Sequence, residues 1–166
     1  MPLYSETQYS RQSWLALIIA LLALLGWGLF VQQIVRDKPV GSDPMPDLGV
    51  WIIALLLGVV LPLFFLWFRM ETTVYPDRVE IRMVPFVHRR FRPDEIAGAA
   101  ARSYQPLREY GGWGVRWGLR GFRSNRAYNV KGDQGVQLML TNGDRVLIGT
   151  QRPQELEAAI RSILPN

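Results

Sequence analysis

The chain has no cysteine, and its 166 residues include one histidine, His88. The first absence excludes disulfides and thiolate metal sites and leaves the redox compartment open. The second excludes a multi-histidine metal centre. Charge is absent from two long apolar stretches, 13–35 and 48–68. A helix rises about 1.5 Å per residue, so each stretch is long enough to cross a hydrocarbon core of about 30 Å.

The first stretch is too long for the apolar part of a signal peptide. Glu6 stands where such a peptide carries positive charge, and no small-residue cleavage site follows before Gln32 and Gln33. Both stretches therefore read as transmembrane helices. They are joined by the short turn 36–47, which is rich in Pro and Asp. Trp14, Trp51 and Trp67 lie near span ends, where indoles favour the headgroup level. Ala16 with Ala20, and Ala54 with Gly58, are small residues four apart that would let helices approach closely. Pro62 is expected to kink the second span or open its hydrogen bonds locally. Arg11, Arg69, Arg78 and Arg82 flank the spans on the terminal side. The turn holds Arg36 and Lys38 with three Asp residues. This asymmetry predicts a multi-pass protein of the cell (inner) membrane with both termini cytoplasmic. Residues 1–12 then form a cytoplasmic N-terminal segment, and 69–166 a cytoplasmic domain.

After Met70 the period changes. In 79–84, Val79, Ile81 and Met83 alternate with Glu80 and Arg82, the pattern of a half-buried strand. Residues 72–75, 86–91, 97–104, 113–120 and 127–130 are further strand candidates. The pair 135–140 and 145–150 flanks Asn142-Gly143, a strong hairpin signal. A helix follows at Pro153. Its residues Leu156, Ala159, Ile160, Ile163 and Leu164 form one apolar stripe.

About seven antiparallel strands followed by one terminal amphipathic helix resembles the pleckstrin-homology (PH) fold, a bent sandwich or partial barrel plugged by that helix. The segment Arg92-Pro93-Asp94-Glu95-Ile96 is similar to the turn after the third strand of bacterial PH-like domains. Residues 142–150 followed by Pro153, Glu155 and Leu156 are similar to their last hairpin and helix start. Two spans before such a domain resemble small bacterial membrane proteins of unknown function. The resemblance implies a membrane α-hairpin followed by an α+β PH-like domain. Its motifs are structural, so it carries over a fold and a location, with no catalytic residues.

Catalysis needs a nucleophile, a base or a metal in a fixed array. His88 is next to Arg89 and Arg90, Asp94-Glu95 follows a proline at a turn, and Gly111-Gly112 precedes neither a Lys-Ser/Thr pair nor a helix. No catalytic, cofactor-binding or metal-binding residue is assigned, and no cofactor is implied. A membrane-embedded enzyme would need ionisable groups inside the spans, and these are missing. The chemistry-bearing segment is 108–128, where Arg108, Arg116, Arg120, Arg123 and Arg126 interleave with Tyr110, Trp113, Trp117, Phe122 and Tyr128. Its aromatics could be core and its arginines a solvated face. Alternatively Arg116, Arg120, Arg123 and Arg126 make a contact with lipid or a partner, while Trp113 and Trp117 lie in the core. The formal charge of +5, on a chain with two spans, points to anionic lipid headgroups before nucleic acid. The functional expectation is a non-catalytic membrane-anchored binding or scaffolding module. A protein partner, a homo-oligomer or a place as accessory subunit of a larger membrane complex are the other readings.

Overall fold

The computed structural model describes residues 1–10, 13–117 and 125–165, Trp117 by its backbone alone. The chain divides into two compact units, Ser10–Trp67 and a second made of Met1–Tyr9 with Phe68–Asn166.

The first unit is a helical hairpin. Helix α1 (Ser13–Phe30) runs on into a wider turn, Val31–Val35, closed by the Arg36 amide on the Val31 carbonyl at 3.0 Å. Helix α2 (Asp47–Leu55) passes through a second wide turn, Leu56–Val60, into α3 (Leu61–Trp67). Together they give two helices long and apolar enough to cross a membrane, Ser13–Val35 and Asp47–Trp67. The second wide turn stands just before Pro62, where the sequence predicts opened hydrogen bonds. Proline has no N–H for the carbonyl four residues back, which is that of Gly58. The Trp27 indole N–H points at this carbonyl at 3.4 Å.

Ile19, Gly26 and Gln33 are the buried residues of the first helix. They are seven apart and so form one seam. Val50 and Ala54 are their buried counterparts in the second helix. A methyl group at Gly26 would stand 3.3 Å from Leu57 Cβ, and one at Gly58 would overlap the Trp27 indole at 2.4 Å. The Ala54/Gly58 pair thus lies at the crossing. Ala16 and Ala20 do not: both are exposed, off the seam set by Ile19 and Gly26. At the far end Gln33 Nε2 clasps the start of α2, donating to the Met45 carbonyl at 2.6 Å and Asp47 Oδ1 at 3.0 Å.

The second unit holds nine strands among the described residues, against about seven expected. One sheet has the order β1-β2-β3-β4, built from β1 (Tyr4–Tyr9), β2 (Arg69–Tyr75), β3 (Arg78–Val84) and β4 (Val87–Phe91). The other has the order β5-β8-β9-β7-β6. Its strands are β5 (Ile96–Ser103), β6 (Gly114–Trp117), β7 (Asn125–Asn129), β8 (Gln134–Leu140) and β9 (Arg145–Gly149). All pairings are antiparallel except β7 with β9, which is parallel. That pair departs from the all-antiparallel expectation. The hairpin of β6 and β7 docks on β9, so that β7 runs alongside it in the same direction.

Met70, Val74, Val79, Ile81 and Met83 from the first sheet share one core with Tyr128, Val136, Leu138, Val146 and Ile148 from the second. Helix α5 (Pro153–Arg161) closes it, with Leu156 and Ile160 fully buried as its apolar stripe predicts. Tyr104, Tyr110, Ala127 and Leu147 form a smaller cluster with the short helix α4 (Pro106–Tyr110). Gly111 ends α4 in the left-handed conformation, at φ 70°.

The N-terminal segment is part of this unit and not a separate tail. Strand β1 pairs with β2 in the register Tyr4↔Val74 to Tyr9↔Arg69. Its inward positions are Tyr4, Glu6 and Gln8, which cross to the end of β9. Gln8 Nε2 donates to the Gly149 carbonyl at 2.8 Å. Glu6 accepts from the Tyr4 and Thr150 hydroxyls and from the Gln151 amide, the last at 3.0 Å. Arg152 covers the Tyr4 ring at 4.8 Å. Burial first, and then the bond to Glu6, push the Tyr4 hydroxyl up to about 12.

Candidate functional site

Strand β4 reads Val87-His88-Arg89-Arg90-Phe91. Alternate side chains of a strand face opposite ways. Val87 and Phe91 pack against the core, so Arg89 between them faces inward. His88 and Arg90 face outward, above Glu80. That carboxylate meets Arg78 Nε at 2.8 Å, Arg90 Nε at 2.8 Å and His88 Nε2 at 3.8 Å. The Arg78 hydrogen bond, with Arg90 and His88 adding to it, holds Glu80 below the usual carboxylate range. The outward face of β4 is thus a charge-matched ion-pair network.

The inward face is different. On β7, Arg126 stands two residues before Tyr128, a core residue, and pairs in register with Val146 of β9. It too faces inward. Arg89 and Arg126 therefore approach one cleft, from the edge strand of one sheet and from within the other. The cleft is about 270 Å³. Phe91, Leu140 and Val146 give it part of its lining, and Arg145 and Arg90, the latter paired with Glu80, stand at its border. Glu95 and Asp144 are its carboxylates. Both have local tasks: Glu95 Oε2 accepts from the Arg92 amide at 2.8 Å, and Asp144 Oδ2 accepts from Asn142 Nδ2 at 3.3 Å. Among the described residues Arg89, Arg126 and Arg145 have no carboxylate within ion-pair distance.

Of the four arginines singled out from the sequence, Arg126 lies in this cleft. Arg116 does not. It is opposite Ala127 on β6, on the other face of the sheet, and its Nε turns back to the Trp113 carbonyl at 3.0 Å. Arg120 and Arg123 lie outside the described residues. The one acid of the segment, Glu109, is drawn off to Arg102 at 2.8 Å. Trp113, expected in the core, is half-buried, and its indole donates to the Gly132 carbonyl at 3.2 Å. Its place is taken by Val115, which packs against the core from β6.

Sequence reasoning missed Arg89, Arg90 and Arg145. The signal for Arg89 was present: it is flanked at two residues on each side by Val87 and Phe91, the alternation that marks an inward position. Arg145 opens β9 directly after the Asn-Gly turn, where it reads as ordinary turn polarity.

Guanidinium groups are planar and permanently charged, and they bind phosphate or carboxylate through paired N–H donors. Several of them around one cleft can offer such donors to an anion. The description "Family of unknown function (DUF6141)" belongs to the family model that matches residues 3–166. No curated protein matches the chain, and no solved structure matches it.

Proposed function

Because the chain belongs to DUF6141, a family of unknown function, its role is read from its own geometry, and we propose that it is a membrane-anchored, non-catalytic binding module. Its PH-like domain holds a phosphate-type anion in the Arg89–Arg126 cleft at the cytoplasmic face of the inner membrane. The observation that carries this reading is that Arg89 and Arg126 line one cleft and, among the described residues, have no carboxylate within ion-pair distance. Arg126 is half-buried and Arg89 exposed at the rim of the cleft, and both offer N–H donors to an anion held there. Structural arginines of this domain, such as Arg78 and Arg102, have their acids beside them.

The anchor rests on the two apolar helices. Only 11% of the most apolar window of each is buried within the chain. Exposed apolar surface on that scale needs lipid or a partner. The pairing of Tyr9 with Arg69 returns the chain to where it began, so both ends of the hairpin emerge on one side of the bilayer. The basic residues flanking the spans support a cytoplasmic location for that side. Binding is favoured over catalysis because Glu95 and Asp144 are committed to turn hydrogen bonds. Gln33, a polar side chain inside the spans, clasps the hairpin.

A second reading, an accessory subunit of a larger membrane complex, draws on the groove of about 400 Å³ between Trp27, Phe30, Trp51 and Leu55, which is lined by apolar residues alone.

The test uses the full chain in nanodiscs. One arm compares phosphatidylcholine discs with discs containing phosphatidylglycerol, reading thermal stabilisation of the domain. The other arm keeps phosphatidylcholine and titrates soluble inorganic phosphate. Charge-assisted hydrogen bonds contribute about 1.5–3 kcal/mol each, so the Arg89→Ala/Arg126→Ala variant should bind at least about tenfold more weakly. Response in the first arm alone identifies a lipid headgroup, and in the second a free anion. A folded double variant that responds like wild type in both arms overturns the proposal.

A further inference from the structure

We propose that the β3–β4 turn, Pro85-Phe86, rests in the headgroup layer of the bilayer that the hairpin crosses, as a second membrane contact of the domain. The inference rests on the reading that Asp47–Trp67 is a membrane span, and beyond that on strand register alone. Trp67 ends the helix and Arg69 opens β2. Arg69 pairs with Tyr9 on one side and Val84 on the other. Paired residues of antiparallel strands are about 5 Å apart. The end of β3, and with it the turn that follows, is therefore held within a few residues of the point where the chain leaves the span. The Phe86 amide closes that turn on the Met83 carbonyl at 2.8 Å.

The other end of the sheet is the turn at Pro76-Asp77. Strand β2 separates the two ends by about 20 Å, at about 3.3 Å per residue. Their chemistry differs accordingly. The end near the span carries Phe86, 70% exposed, and Tyr9, 40% exposed. It also carries Arg69 and Arg82 around Glu71, at 2.7 and 3.7 Å, which leaves one net positive charge. The far end carries Asp77 paired with Arg78, whose guanidinium covers the Tyr75 ring at 4.4 Å, and has no exposed phenylalanine at its turn. Aromatic side chains with basic neighbours suit the interfacial layer of an anionic leaflet.

Because the chain has no cysteine, each single-cysteine variant carries one spin label. The full chain is placed in phosphatidylcholine vesicles containing phosphatidylglycerol. Collision with oxygen, which concentrates in lipid, is compared with collision with a water-soluble nickel chelate. Three sites are labelled: Phe86→Cys, Asp77→Cys in the far turn and Leu24→Cys in the middle of the first span. The expected oxygen-to-nickel ratio at Phe86→Cys lies above that at Asp77→Cys and below that at Leu24→Cys. A ratio at Phe86→Cys equal to that at Asp77→Cys, with Leu24→Cys deep, overturns the proposal and leaves the anchor standing. A ratio at Leu24→Cys as low as at Asp77→Cys overturns the anchor itself. If Phe86→Cys lowers the melting temperature, Arg82→Cys, exposed two residues before the turn on β3, carries the label with the same expected order.

Discussion

Glu80 is a buried carboxylate serving Arg78 and Arg90, with His88 nearby. Its folded-state value lies below the ordinary one, so the folded state binds its proton less readily than the unfolded chain. The stabilisation is then fully present above the unfolded value of about 4.3 and is lost as pH falls through the lower, folded value. Replacing it by Gln keeps the shape and removes the charge. Glu80→Gln should melt lower than wild type at pH 7, and the two melting curves should converge as pH drops below about 4. A constant difference between the variants across that range would show that the carboxylate acts through packing alone. The same strand shows what was legible residue by residue. Alternation in Val87-His88-Arg89-Arg90-Phe91 separates an outer, paired set from an inner arginine. Three consecutive polar side chains conceal it from a reading based on hydropathy. The tie of Trp27 to the Gly58 carbonyl was not legible, since it joins one helix to the other beside Pro62.

At the scale of elements, hydrophobic period was a good guide wherever the buried face is apolar. Strands β2, β3, β8 and β9 and helix α5 all fall where their alternation or stripe puts them. Leu156 and Ile160 plug the sandwich with no exposed surface. Replacing a large buried aliphatic residue by Ala costs about 2–5 kcal/mol. In a domain of this size each kcal/mol moves the melting temperature by about 4–8 °C. Ile160→Ala in the full chain should therefore lower the domain's melting temperature by about 10 °C or more, read by scanning fluorimetry. An unchanged value would mean that α5 does not seal the core. Strand β1 was not legible for the converse reason: its inward residues after Tyr4 are Glu6 and Gln8, and their partners are at Gly149, Thr150 and Gln151, more than 140 positions away. Glu6, one of the grounds on which the sequence argued against a signal peptide, is one of the residues that tie this strand down. Helix α4 is five residues long, too short for a stripe. The parallel pairing of β7 with β9 depends on where a hairpin docks, which no local pattern encodes.

For the whole molecule, the pairing of β1 with β2 brings together the two chain ends of the hairpin of apolar helices. A reporter at either end should give the same side of the membrane. Fusions before Met1 and after Asn166 should both fluoresce with a protein active only in the cytoplasm, and opposite signals from the two would break the β1–β2 register. The segment 108–128 was found by its composition, but composition does not state on which side of a sheet an arginine stands. Arg116 and Arg126 are ten residues apart and lie on opposite faces. The cleft itself joins β4, β7 and the β8–β9 turn, a conjunction created by the fold. Its most direct test is native mass spectrometry of the full chain extracted from membranes in mild detergent. The wild-type protein should retain an anionic adduct, lipid or phosphate, that is absent from Arg89→Ala/Arg126→Ala and retained by Arg116→Ala. An adduct of equal occupancy in all three, or lost only from Arg116→Ala, would contradict the assignment of the Arg89–Arg126 cleft as the binding site.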